Sequence, residues 1–261
     1  FTISTPGRKP VLPKTRGGKE AEGRHCVAPR PFFMLSHIRK TSVFLVMTTA
    51  IGVMVVPGAV SQESRSFDFG AVSYQLTVEP EFRGDGYDRD DWPHWRSVPG
   101  SCFTVRDKAL AEESWAPIET VPGSAGRCRV VSGLWRDPYT GREFDDAADV
   151  DVDHVVPLAE AYESGGYRWT RERRSAFANE LGNEDHLMIV YDRENQVAKG
   201  KDDPADYLPP NKDFACAYLE AWLGIKSRWG LSVDPREAAA IDAAMERFFC
   251  ASEFLTPDAD P

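Results

Sequence analysis

A carboxylate and an imidazole stand side by side at the end of a β-branched run, Asp151-Val152-Asp153-His154-Val155-Val156-Pro157. Further along the chain come His186 and then Asn195. A carboxylate and an amide oxygen can hold a hard divalent cation, and a neutral imidazole can take a proton from water. Residues of these types in this order are what a one-metal phosphodiesterase requires.

Each of these residues also has a purely structural interpretation. Asp153 and His154 could form a turn in which the carboxylate stabilises the ring, and His186 beside an apolar run could be a core histidine. Asn195 taken alone is typical of a helix cap. However, only three histidines follow residue 61, and two of them belong to this set, the third being His94. The set as a whole therefore favours a functional site over three separate coincidences.

The first 61 residues are predicted to lie outside the folded domain. Residues 1–33 are rich in Pro, Gly and Arg and are interpreted as a non-native upstream segment. Residues 34–61 combine basic residues, an apolar run and the small residues Ala59-Val60-Ser61, as a secretory signal peptide does. An uncleaved membrane anchor is the alternative, although Pro57 interrupts the run. We expect a secreted protein with no stable membrane association after cleavage, and a single domain over residues 62–261.

Residues 62–261 are strongly acidic. They contain 22 Lys and Arg against 39 Asp and Glu, a net charge of −17, whereas the whole chain has −10. This charge suits a soluble exported protein and opposes nucleic-acid binding by the surface as a whole. Contact with DNA then needs local positive charge, for which Arg171, Arg173 and Arg174 are the best candidates.

Four cysteines follow the predicted signal peptide, and in an exported protein they indicate disulfides. A metal site is disfavoured because no Cys-x-x-Cys spacing occurs. Four cysteines allow three pairings. We favour Cys102–Cys128 and Cys216–Cys250, because each pairing closes a local loop. The second also joins the start of one predicted helix to the end of the next.

Hydrophobic periodicity predicts an α+β fold with a C-terminal helical pair. Strands are predicted over residues 71–78, 128–134, 148–156 and 186–191. Helices are predicted over residues 103–114, 158–164, 170–181, 214–229 and 234–249, with a further helix starting in 192–199. The strand with the Asp-His pair, the strand after His186 and the segment with Asn195 follow one another as a ββα unit.

A resemblance to a known family rests on Asp151–Ala159, Phe177–Asn179, His186-Leu187, Asn195 and Lys199–Ala205. These stretches resemble HNH (ββα-metal) endonucleases, and more narrowly the small secreted bacterial proteins related to the C-terminal domain of GmrSD-type restriction enzymes. The resemblance covers roughly residues 72–250, which is nearly all of the single domain predicted after the signal peptide. Its most specific part is the Asp-His pair followed by Asn-x-x-x-Lys-Gly.

The resemblance implies a ββα-metal (HNH) core within residues 145–205 and a role for each site residue. Asp153 and Asn195 would be ligands to one divalent cation, Mg²⁺ or alternatively Mn²⁺. His154 would be the general base, with activity falling as it protonates near its usual pKa, about pH 6–7. His186 stands where the family often has Asn and would orient the base. Lys199 would approach a phosphate oxygen.

The function implied is a secreted, monomeric endonuclease that hydrolyses phosphodiester bonds in DNA, with RNA as the second candidate substrate. Little sequence specificity is expected because no helix-turn-helix or zinc finger is evident. A non-catalytic extracellular binding domain with the same fold is the alternative, favoured by the acidic charge and by His186. A metalloprotease is disfavoured because the chain lacks His-Glu-x-x-His.

Overall fold

The structure is a computed structural model that describes residues 63–251. The upstream segment 1–33 and the signal peptide 34–61 predicted from the sequence lie outside the described residues, as do residues 252–261. Within the described residues, no helix is long and apolar enough to cross a membrane.

Strands in the described part of the chain form three small antiparallel sheets. The first sheet contains β1 (Ser64–Asp68) and β2 (Ser73–Thr77). The second contains β3 (Glu119–Pro122), β4 (Cys128–Arg136) and β5 (Glu143–Asp146), with β4 in the middle. The third contains β6 (Val150–His154) and β7 (Leu187–Tyr191), which pair over their whole length.

Five α-helices connect and cover these sheets within residues 63–251. They are α1 (Val105–Glu113), α2 (Leu158–Glu163), α3 (Arg171–Ala178), α4 (Ala215–Trp229) and α5 (Pro235–Arg247). A π-helix (Glu194–Lys199) follows β7, where the sequence predicted the start of a helix. Short 3₁₀ turns occupy Arg89–Asp91, Ser124–Gly126, Gly166–Arg168 and Lys212–Phe214. The mixed arrangement of helices and antiparallel strands agrees with the predicted fold class.

The C-terminal helical pair begins and ends where its sequence predicts. Helix α4 stops at Gly230, whose φ of +67° is in the left-handed region that glycine adopts without strain. Asp234 caps α5 by accepting hydrogen bonds from the main chain of Arg236 and Glu237, and Pro235 occupies the first helical position. These two signals place the turn between the helices within five residues.

Two hydrophobic clusters lie on either side of the β6–β7 pair. Met188 and Val190 of β7 belong to the larger cluster, which is built mainly from α2 to α5. Val152 and Ile189 belong to the smaller cluster, which also contains Leu110 of α1. Strand β7 is therefore buried on both faces, which explains its nearly unbroken apolar sequence.

Both predicted disulfides are present. Cys102–Cys128 joins the residues before α1 to the start of β4, and Cys216–Cys250 joins the start of α4 to the chain after α5. In each bridge the Cα atoms are 5.2 Å apart, which is the usual spacing. The predicted pairing is confirmed.

Candidate active site

Strand β6 carries the Asp-His pair at its end, as predicted. Side chains alternate along a strand, so Asp151 and Asp153 share one face while Val150 and Val152 pack into the smaller cluster on the other. His154 is the last residue of the strand. The chain therefore places two carboxylates and one imidazole within a single short element.

His154 is held as a neutral ring. Its Nε2 atom lies 3.0 Å from the main-chain oxygen of Ala178, and because a carbonyl can only accept, Nε2 donates and Nδ1 keeps the lone pair. The ring stacks on Trp95 with centroids 5.2 Å apart. Burial lowers the pKa of His154 to about 3. The expectation that the ring protonates near pH 6–7 is therefore wrong for this buried position, and Nδ1 remains a proton acceptor across the physiological range.

Asp153 is buried, and its carboxylate has two partners. Tyr139 donates its hydroxyl to Oδ2 at 2.7 Å, and Lys199 Nζ lies 3.0 Å from Oδ1. Burial raises the pKa of Asp153, against the opposing effects of the Lys199 ammonium and the Tyr139 hydroxyl. Both partners fix the orientation of the carboxylate beside His154.

Lys199 does not lie where the sequence predicted. It was expected to approach a phosphate oxygen, but its side chain is fully buried and its Nζ donates to Asp153 and to the main-chain oxygen of His154 at 3.1 Å. Burial also lowers the pKa of Lys199. The geometry makes Lys199 a positioning residue for the Asp-His pair, because a buried ammonium with these partners has no access to a bound phosphate.

Asn195 lies in the π-helix and faces the other carboxylate of β6. Its Nδ2 donates to Asp151 Oδ2 at 3.2 Å, and Gln196 Nε2 donates to the same oxygen at 2.8 Å. With Nδ2 bound to Asp151, Oδ1 is the atom of Asn195 that can bind a cation. The structure thus brings Asn195 to β6, as the predicted ββα order requires.

A cavity of about 670 Å³ joins these residues. Three of the five predicted site residues line it, namely Asp153, His154 and Asn195. Its other polar lining residues are Tyr87, Arg89, Asp151, Glu163, Gln196 and Lys201. The cavity therefore combines a neutral imidazole, several oxygen ligands and two cationic side chains.

His186 lies outside the cavity and acts through contacts with α3. Its side chain is 1% exposed, and Nε2 donates to the main-chain oxygen of Phe177 at 2.8 Å. Burial lowers the pKa of His186 to about 4. Its main-chain oxygen accepts from the amide of Val155 at 3.2 Å, directly after His154. His186 is therefore placed to orient the segment that carries His154.

The arginines of α3 have partners within the protein. Arg171 and Arg174 lie 3.3 and 3.4 Å from the carboxylate of Asp91, and Arg173 donates to the main-chain oxygen of Trp229 at 2.8 Å. These contacts tie α3 to neighbouring segments. None of the three lines the cavity, so the basic patch expected to face DNA is separate from the Asp-His pair.

Among the residues at the site, Tyr139 and Arg89 were assigned no role from the sequence. Tyr139 lies in the connection between β4 and β5, and nothing in its local sequence indicates that its hydroxyl reaches Asp153. Arg89 lies in a loop that gave no periodic signal. Both depend on tertiary contacts, whereas an Asp-His pair after a β-branched run is visible in the sequence itself.

The name of a similar protein agrees with the prediction that the chain is secreted. A protein of Arthroderma benhamiae named "Uncharacterized secreted protein" is 37% identical to this chain over 206 residues, which are 77% of this chain and 97% of that protein. No solved structure matches the chain.

A family model agrees with the motifs in β6, β7 and the π-helix. The model described as "GmrSD restriction endonucleases, C-terminal domain" matches residues 102–241. This range is more than half of the chain and contains all the predicted site residues. The predicted family is confirmed: the chain belongs to the family of GmrSD restriction endonuclease C-terminal domains.

Proposed function

We propose that this protein is a secreted endonuclease that uses a divalent cation to hydrolyse phosphodiester bonds in DNA, with RNA as the second substrate to test and with low sequence specificity. The observation that carries the proposal is that His154, whose Nε2 is held by Ala178 so that Nδ1 is its acceptor atom, lines the same cavity as Asp153 and Asn195. Membership of a restriction-endonuclease family supports the nuclease activity. The name of the relative supports export.

The proposed core is a ββα-metal unit made of β6, β7 and the π-helix. Strand β6 supplies Asp153 and His154, and the π-helix supplies Asn195. Strand β7 holds β6 in register from Val150 to His154. Short π-helical segments occur frequently at functional sites, which agrees with a site at Asn195.

The residues of the cavity fit a hard divalent cation. Asp151, Asp153 and Asn195 offer only oxygen atoms, the ligands that Mg²⁺ and Mn²⁺ prefer. Asp153 already binds Lys199 and Tyr139, but a carboxylate has about four acceptor positions, so lone pairs remain. Because the Lys199 ammonium offsets part of the negative charge, we expect weak cation binding and a clear response to added metal. A cation bound there would stabilise the charge that develops on the phosphate and the leaving oxygen.

His154 performs the proton transfer in this proposal. Nδ1 takes a proton from water, and the oxygen attacks phosphorus in line with the departing 3′ oxygen. Nε2 meanwhile remains hydrogen-bonded to Ala178, which keeps the ring oriented. The carbonyl end of α3 is also favourable for the imidazolium that forms, because helix C-termini carry partial negative charge. Lys199 and Tyr139 keep Asp153 in place during the step.

Plasmid nicking by the oxidised protein from Gln62 onwards tests the proposal. We would measure it with Mg²⁺, with Mn²⁺ and with chelator, and compare His154→Ala with the control His94→Ala, since His94 does not line the cavity. We expect cation-dependent nicking that falls about 10²–10⁴-fold in His154→Ala. An absence of cleavage of plasmid, single-stranded DNA and RNA with every cation would contradict the proposal.

A non-catalytic binding domain is the second candidate, and one observation favours it. Asp153 is already paired with a buried ammonium, so its capacity for a cation is lower than that of an unpaired carboxylate. If this candidate is right, nucleic-acid binding or another interaction persists in chelator and in His154→Ala. The nicking experiment therefore separates the two functions.

A further inference from the structure

Two cations of the cavity have no part in the roles described above. Arg89 and Lys201 are the positively charged residues among those that line it. Both are exposed, and the ion pairs found within residues 63–251 include neither of them. Arg89 lies near Tyr87 and Lys201 lies near Glu163, and the positive charge of each opposes the rise that burial causes in the pKa of that neighbour. Neither cation is therefore neutralised by a close carboxylate partner.

The loop that carries Arg89 is fixed to α3. Trp92 is fully buried and packs edge-on against Phe177 of that helix. The main-chain oxygen of Pro93 accepts from Asn179 Nδ2 at 2.7 Å and from Ser175 Oγ at 2.9 Å. Since α3 ends at Ala178, these contacts are made close to the carbonyl that holds His154.

This arrangement places the loop that carries Arg89 near His154, the proposed base. Asp88 caps the 3₁₀ turn that Arg89 begins, accepting from the amide of Asp90. Arg89 and His154 both line the cavity. The main chain of Arg89 therefore lies on a fixed loop beside the cavity that contains the ring.

Lys201 comes from a different segment. It follows the π-helix, whose last turn closes with the amide of Gly200 bound to the main-chain oxygen of Asn195 at 2.8 Å. Gly200 has a φ of +54°, a left-handed conformation that directs the chain out of the helix. The amide of Asp202 then bonds to the main-chain oxygen of Lys199 at 2.9 Å. Lys201 is therefore held between two residues whose main chains are tied to the site.

The charge of the cavity explains why a substrate needs these cations. Asp151, Asp153 and Glu163 line it, and the Lys199 ammonium is committed to Asp153. With that ammonium and one divalent cation bound, the three carboxylates are only just neutralised, so Arg89 and Lys201 are the charges left to attract a phosphodiester. A guanidinium can bind two phosphate oxygens at once, whereas an ammonium acts as a single point charge.

We propose that Arg89 binds the non-bridging oxygens of the scissile phosphate and that Lys201 binds the neighbouring phosphate of the same strand. This inference rests on the proposed nuclease function and adds its substrate class, a polynucleotide backbone with at least two consecutive phosphates. Because both contacts are to phosphate, they carry no sequence information.

The proposed roles of Arg89 and Lys201 can be distinguished by comparing a substrate that has one phosphate with a substrate that has several. On an oligonucleotide, Arg89→Gln should lower kcat/KM by about 10²-fold, as for removal of one donor that stabilises developing charge. Arg89→Lys should recover part of this loss. Lys201→Gln should raise KM on the oligonucleotide about tenfold, which is a modest loss for one phosphate contact. On bis(p-nitrophenyl) phosphate, which has one phosphate, Arg89→Gln should lose as much activity as on the oligonucleotide, whereas Lys201→Gln should lose much less than on the oligonucleotide.

Matched controls are available among exposed cations outside the cavity. Arg83→Gln and Lys212→Gln remove exposed cations that do not line the cavity, and both should leave the kinetics unchanged. A binding measurement that needs no turnover uses a labelled oligonucleotide, chelator and the His154→Ala background. In it, Arg89→Gln and Lys201→Gln should each reduce the slope of log affinity against log salt by about 1.

The outcomes separate this inference from the proposed function. If the unmodified protein cleaves DNA while Arg89→Gln and Lys201→Gln behave like the controls, the inference is overturned and the nuclease function stands. If no cleavage occurs but both variants lower the salt slope, phosphate binding by these residues is supported and catalysis is not. If the protein neither cleaves nor binds oligonucleotides, both are overturned.

Discussion

His154 and His186 direct their Nε2 atoms at consecutive main-chain oxygens, those of Ala178 and Phe177, at 3.0 and 2.8 Å. These are the last two residues of α3, and the final carbonyls of a helix have no partner within the helix. One helix end therefore accepts from Nε2 of both rings and leaves Nδ1 of His154 as an acceptor. Nδ1 of His186 instead lies 3.6 Å from Glu180 Oε2. The two rings differ in access, because His154 lines the cavity and His186 does not.

The first prediction concerns the pH dependence of cleavage. The base form of His154 is the active one, and burial lowers the pKa of its ring to about 3. Activity that depends on this group is lost only as pH falls through the lowered value. We expect kcat/KM at saturating cation to stay nearly constant between about pH 5 and 8, in contrast to a histidine with the usual pKa of about 6.5. A single fall with a midpoint near 6.5 would show that the ring is solvated.

The second prediction concerns stability and His186. Burial lowers the pKa of His186 to about 4 in the folded protein, so below about pH 6.5 the unfolded chain binds the proton more readily. The stabilising contribution of the neutral ring is present above that pH and is lost as pH falls towards 4. The unfolding free energy should then decrease by roughly 1.4 kcal/mol per pH unit from this residue.

A comparison with His186→Asn isolates this effect. Three carboxyl groups, Glu81, Glu113 and Glu237, have pKa values raised to about 7 and act in the opposite direction, but they are common to both proteins. Urea unfolding at several pH values between about 4.5 and 7 should therefore show a steeper acid loss in the unmodified protein than in the variant. Parallel curves would contradict the prediction.

The third prediction concerns the buried pair of Lys199 and Asp153. Lys199→Met leaves a buried carboxylate without its cation and should lower the unfolding free energy by about 3–5 kcal/mol. The double variant Lys199→Met, Asp153→Asn should recover much of that loss, because no buried charge is left unpaired. Urea denaturation in chelator compares the unmodified protein with Lys199→Met, Asp153→Asn and the double variant. Lys212→Met, at an exposed position, is the control and should change stability by less than about 0.5 kcal/mol. Additive single effects would disprove the coupling.

Several elements could be predicted because their residues carry strong local signals. Strand β6 alternates valine with aspartate, β7 is an apolar run bounded by polar residues, and α5 begins with Asp234, Pro235 and Glu237 in the order of a capping box. Strands β1, β3 and β5 were missed. Each has four or five residues, and most of their side chains are exposed, so no burial pattern marks them in the sequence.

Within the site, the sequence predicted which residues come together better than what each one contacts. Asp153, His154 and Asn195 were placed at one site from their order along the chain, and they do line one cavity. The position of Lys199 was wrong, because a lysine is almost never fully buried unless it is paired and its partner lies 46 positions away. The low pKa of His154 likewise follows from tertiary burial, which no short stretch of sequence contains.

The placement of the two disulfides has a consequence for resistance to proteases. The loop closed by Cys102–Cys128 ends before the segment 129–215, and the loop closed by Cys216–Cys250 begins after it. The predicted site residues all lie in that segment, namely Asp153, His154, His186, Asn195 and Lys199. Within the described residues no covalent bridge spans it. A single backbone cut there would separate the chain into two pieces, each with its own disulfide, joined only by packing and hydrogen bonds.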